Sequence, residues 1–150
     1  FDKVADWSWD EDISTSDVAK FDIGGRPYYI QFDHTTFDVE FFNGMFDIEN
    51  DYAGICDVAF YMAGKKPAGK RGIDVTGTGH AYEVFATVKA IIDWYVKSNP
   101  SLDYLHFEAD EESRIKLYDR FVSNYPGRVE QRHWSQHPED KASMHYMVKL

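Results

Sequence analysis

The sequence predicts an α/β (α+β) fold: a mixed, mostly antiparallel central sheet of six or seven strands with two main helices. Three observations lead there. Short β-branched and aromatic stretches alternate apolar with polar residues through the first half and the end of the chain. Two amphipathic helical stretches, Glu83 to Ser98 and Glu111 to Tyr125, flank a strand, Leu102 to Ala109. A strand–helix–strand connection needs a parallel neighbour, reached by a right-handed crossover, so the sheet must be mixed.

In chain order, residues 1–17 mix Trp7 and Trp9 with Asp2, Asp6, Asp10, Glu11 and Asp12 and read as an acidic arm that the two indoles can anchor. Residues 18–150 then make a single domain. Val18 to Ile23 alternates, Gly24-Gly25 is a turn, and Pro27 to Asp33 is rich in Tyr, Ile and Phe, which together give a hairpin. Phe37 to Phe41 alternates again and is closed by Asn43-Gly44. Ile55 to Ala63 is an apolar strand whose expected partner is Gly72 to Thr76, across a loop carrying Lys65, Lys66, Lys70 and Arg71. That loop is the densest basic cluster and reads as a solvated hairpin tip.

The first helix places Val84, Phe85, Val88, Ile91, Ile92, Tyr95 and Val96 on one face and stops before Asn99-Pro100. Asp110, Glu111 and Glu112 crowd the start of the second, where carboxylates meet the positive end of the helix dipole. Its inner stripe is Ile115, Tyr118, Phe121, Val122 and Tyr125, and Pro126-Gly127 ends it. Val129 to Ser135 and Ala142 to Leu150 form a terminal hairpin around Pro138-Glu139-Asp140.

Composition narrows the function classes. The 150 residues, 43% hydrophobic and 17% aromatic, suffice for a substantial core. Sixteen Lys and Arg against 26 Asp and Glu give a formal charge of −10, which disfavours direct nucleic-acid binding and favours cationic partners. No apolar run is long enough for a membrane helix, so a soluble, cytoplasmic protein is expected. The lone Cys56 excludes an intrachain disulfide and reads as a core thiol. His133 and His137 have no third ligand at a diagnostic spacing, so no metal site is expected.

One segment gathers the features of a ligand site. Ile73-Asp74-Val75 enters the glycine-rich Thr76-Gly77-Thr78-Gly79-His80-Ala81, which opens into the first helix. A strand, a glycine turn and a helix N-terminus in that order collect unpaired N–H groups and a dipole end, suited to a pyrophosphate. The plainer reading is a tight strand-to-helix turn.

These residues resemble the GNAT-type N-acetyltransferases over the second half of the chain. The family's loop reads Arg or Gln, two residues, Gly, one residue, then Gly or Ala; Thr76, Gly79 and Ala81 stand at those positions, with Thr76 departing from the pattern. Val84 to Val88 and Ser113 to Arg120 are also similar to small acyltransferase-like proteins of tailed bacteriophages. The resemblance implies acetyl-coenzyme A as cofactor, held by Val75, Thr76, Gly77, Thr78, Gly79, His80 and Ala81, and an amine or protein acceptor. It implies Tyr118 as general acid toward the leaving thiolate, against the plainer reading of core packing. Glu108 and Asp110, at a strand end that would flank such a cleft, are the general-base candidates; their plainer roles are solvation and helix capping. Arg114 is read as an ion-pair partner of Asp110. The alternative is a non-catalytic phage accessory or virion protein that keeps the fold and binds a host or virion protein, in the host cytoplasm or the particle. A nucleic-acid mimic is a third option.

Overall fold

A computed structural model describes residues 4–10, 16–34, 42, 45, 46, 48, 53–62, 81–109, 112–123, 125, 127–135 and 139–150, with backbone alone at 62, 81 and 113. The strands are β1 (Trp7–Trp9), β2 (Asp17–Ile23), β3 (Arg26–Asp33), β4 (Ile55–Met62), β5 (Tyr104–Ala109), β6 (Arg128–Trp134) and β7 (Ser143–Lys149); the helices are α1 (Ala81–Ser98) and α2 (Glu112–Ser123). They make one seven-stranded sheet in the order β1-β2-β3-β4-β5-β7-β6. It is mixed, with β4–β5 parallel and β1–β2, β2–β3, β5–β7 and β6–β7 antiparallel. Contacts divide the chain into two compact units, Phe1–Phe32 with Ala59–Pro100, and Asp33–Val58 with Ser101–Leu150.

In the first unit the β2–β3 hairpin closes through Gly24 and Gly25, whose φ of 60° and 76° are those of the two-residue turn that matches strand twist. Phe21, Tyr28 and Phe60 stack at 5.3 to 6.3 Å between ring centroids. Helix α1 meets β2 and β3 through Tyr95, which stacks on Phe32 and donates its hydroxyl to Asp17 at 2.7 Å. Within the expected arm, Trp7–Trp9 is a strand paired with β2. Its indoles pack on Trp94 at 5.5 and 5.7 Å, and the Ala5 N–H donates to Thr87 Oγ1 at 2.9 Å, so side chains of α1 hold this edge.

In the second unit, Gly54 and Asp103 set the start of the parallel pair. The Gly54 N–H donates to the Asp103 carboxylate, and its carbonyl accepts from the N–H groups of Asp103 and Tyr104. A Cβ at Gly54 would lie 2.7 Å from the Ser101 carbonyl oxygen, so the close approach requires glycine. Ile55, Cys56 and Asp57 then stand in register with Tyr104, Leu105 and His106. The other edge of β5 is taken by β7, from Tyr104↔Lys149 to Ala109↔Met144. One face of this sheet carries α2, with Tyr118 and Phe121 against Phe107 at 5.1 and 5.5 Å. Phe42, Met45, Phe46 and Ile48 lie on the other, where they form a core with Ile55 and Met147.

Strand β4 corrects one expectation. The strand–helix–strand connection would set Ile73–Val75, the run that enters the first helix, parallel beside β5; the structure sets Ile55–Met62 there. Both are apolar runs ahead of a helix, and the period-2 pattern cannot rank them; eight residues offer the longer edge. The expected strands Phe37 to Phe41 and Gly72 to Thr76, and the basic loop 65–71, lie outside the described residues.

Candidate functional site

Alternation along β5 decides what reaches each side. Phe107 faces α2, while Tyr104, His106 and Glu108 face the opposite way. Register brings Asp57 of β4 beside His106, and His145 of β7 stands across from Glu108, diagonal to His106 on the same face. The result is a chain of three polar side chains on three adjacent strands. His106 Nδ1 bonds the Asp57 carboxylate and His106 Nε2 bonds His145 Nδ1 at 2.9 Å. Phe42 lies over the His106 ring at 4.8 Å, and the Trp134 indole meets His145 edge-on at 5.8 Å.

Burial is graded along the chain. The Asp57 side chain is 38% exposed and that of His106 4%. His145 is 4% exposed. Burial, and then the neighbouring His106, lowers the His145 pKa from 6.5 to about 4, so it is neutral at physiological pH. An ionised carboxylate only accepts hydrogen bonds, so the bond to Asp57 carries its proton on His106 Nδ1. Because His106 spends both ring nitrogens on different neighbours, the three groups form a line and share no common centre for a metal. No group of three or more His, Cys, Asp or Glu suited to a metal occurs among the described residues.

The parallel ladder ends at this point. Asp57↔His106 is its last pair among the described residues.

The sequence-derived residues are placed as follows. Tyr118, 3% exposed, packs against Phe107 and, at 6.0 Å edge-on, Tyr146. Glu108 is exposed on β5 in register with His145, on the face opposite Phe107. Tyr118 and Glu108 therefore sit on opposite sides of β5. Ala81 begins α1, while Val75 to His80 and Asp110 lie outside the described residues. Arg114 is buried at 3% exposure, deeper than a surface ion pair requires, and Cys56 is fully buried. His133 is exposed on β6; His137 lies outside the described residues.

Sequence reading missed Asp57, His106 and His145. The available signal was a polar residue at an inward position of three apolar strands. The Tyr146 hydroxyl was missed as well. It lies 2.7 Å from Asp119 Oδ1, and burial, then that bond, raises its pKa well above the usual phenol value.

No family model and no curated protein matches the chain. Among solved structures it is similar to an acetyltransferase of the GNAT family from Streptococcus pneumoniae, at 14% identity and a TM-score of 0.45, covering 91% of this chain and 66% of that one. It is similar to AAC(6')-Ib in complex with Parmomycin and acetyl-CoA, at 15% identity and a TM-score of 0.48, covering 89% of this chain and 64% of that one. A complex of AAC(6')-Ib with Ribostamycin and coenzyme A gives 16% identity and a TM-score of 0.48, covering 89% and 63%. The chain thus spans between 63% and 66% of the length of these structures. No helix among the described residues is long and apolar enough to cross a membrane.

Proposed function

We propose that the chain is a GNAT-type acyltransferase that moves an acetyl group from acetyl-coenzyme A to an amine. The observation that carries this reading is the parallel pair β4–β5, whose ladder stops after Asp57↔His106 beside titratable side chains. Strands that leave register free backbone polar groups, and such groups polarise a thioester carbonyl when aimed at its oxygen. In this reading the backbone of residues 75–81 holds the pyrophosphate. The amine nitrogen attacks the carbonyl carbon, the C–N bond forms and the C–S bond breaks. Glu108, exposed at the strand end, takes the amine proton, and the departing thiolate takes one from water, because Tyr118 is buried on the other side of β5. The formal charge of −10 draws a cationic acceptor.

Titration calorimetry with acetyl-coenzyme A tests it. Heat with micromolar affinity, lost in Gly79→Trp, is expected; no heat with acetyl-coenzyme A overturns the reading. The burial of Tyr118 and the Thr76 departure favour a second reading, a non-catalytic protein of this fold that binds a virion or host protein. It predicts no heat, and a partner retained by Gly79→Trp.

A further inference from the structure

We propose that Asp57 is an ammonium-binding subsite, built by His106 and His145 to take a primary ammonium group in preference to a guanidinium. The inference names the acceptor chemistry of the acyl-transfer reading and rests on that reading for its place in turnover.

Three observations carry it. First, of the three linked groups only Asp57 is accessible, with its side chain 38% exposed in front of rings that are 4% exposed. A ligand reaching this chain meets a carboxylate. Second, that carboxylate is held rather than free to turn. Oδ1 accepts from His106 Nδ1, and His106 is in turn fixed through Nε2 by His145 Nδ1 at 2.9 Å and by the Phe42 ring. Third, Asp57 and His106 form the last pair of the parallel ladder among the described residues, so the carboxylate stands at the end of the pairing.

The specificity follows from hydrogen-bond geometry. A guanidinium binds a carboxylate best as a fork, with two parallel N–H bonds to both oxygens. Here His106 already takes one lone pair of Oδ1, so a fork would have to share that oxygen with the ring, whereas Oδ2 is unshared. An ammonium is a compact point charge that a single oxygen serves well. Among the described residues, the other charged groups on this face are Glu108 on β5, Arg128, Glu130 and Arg132 on β6 and Lys149 on β7. Arg128 and Glu130 pair at 2.8 Å, and among the described residues Asp57 and Glu108 are the carboxylates on the strands of the parallel ladder at its end. His106 and His145 are positioning residues; Asp57 makes the contact.

The test uses the full chain with 15N-labelled histidine, titrated with butylammonium and, separately, with butylguanidinium. The His106 ring nitrogens are expected to shift with butylammonium at about tenfold lower concentration than with butylguanidinium, and Asp57→Asn is expected to abolish the shift. In turnover, read as thiol release from acetyl-coenzyme A with a diamine, Asp57→Asn is expected to raise KM about tenfold while changing kcat far less. No shift with butylammonium, or equal or stronger binding of butylguanidinium, overturns the proposal without recourse to any variant. A butylammonium shift without any acetyl-coenzyme A heat sinks the acyltransferase reading and leaves the subsite standing.

Discussion

Acid should weaken this protein through His145, and the size of the effect follows from its burial. The folded ring holds a pKa of about 4, whereas the unfolded chain titrates near 6.5. Between those values the unfolded state binds a proton that the folded state refuses. Stability conferred by a neutral His145 is therefore complete above pH 6.5, falls as the pH drops toward 4, and is lost below it. The full difference corresponds to roughly 3 kcal/mol, a large share of the 5–15 kcal/mol typical of a domain. Carboxylates titrate nearby, so the measurement is a comparison of urea unfolding for wild type and His145→Gln from pH 7 to pH 4. At pH 7 the variant is expected to be the weaker by about 1 kcal/mol, having lost a buried hydrogen bond. By pH 4 the gap should close and reverse, because glutamine carries no proton penalty. Two stability curves that stay parallel across this range would refute a buried, neutral His145.

The remaining predictions concern the first unit. Gly25→Ala is expected to cost about 1–2 kcal/mol in urea unfolding, wholly from the backbone, since φ is +76° and a Cβ there meets nothing within 4 Å; Gly25→Asn should recover part, and no loss for Ala would contradict the turn. Thr87→Val keeps the shape but removes the acceptor of the Ala5 N–H and the donor to the Glu83 carbonyl. A loss of about 1–3 kcal/mol is expected, with faster hydrogen exchange at Ala5, and unchanged exchange would show that α1 does not hold the β1 edge.

Local signals in the sequence were faithful where the physics is local. Gly24-Gly25 specified its hairpin because few other residues tolerate two successive positive φ angles. Helix α1 followed from its 3.6-residue stripe and from the Asn99-Pro100 stop. Trp7–Trp9 was hidden because its order depends on Trp94 and Thr87, about eighty residues away. The same limit explains the site. Asp57 and His106 are 49 positions apart and His106 and His145 39 apart. Alternation says that each is on a face of its strand, but register alone says which faces meet. With Ile73–Val75 read as the strand beside the Leu102 strand, nothing in the sequence set Asp57 next to His106.

Energetics give the line of Asp57, His106 and His145 its significance. Two imidazoles inside an apolar sheet layer forfeit hydration and return the hydrogen bonds they make to one another, to Asp57 and, from His145, to the Trp134 backbone. Apolar residues of similar size at positions 106 and 145 would fill the layer beneath Phe42 without that cost. A fold selected for stability alone has no use for a polar line across three strands that surfaces at one carboxylate. Held by His106, however, that half-exposed carboxylate keeps one orientation at the last pair of the parallel ladder, and a freely rotating surface aspartate cannot do so. The stability given up beneath the surface is recovered as orientation at it, the usual exchange at a binding or reacting centre.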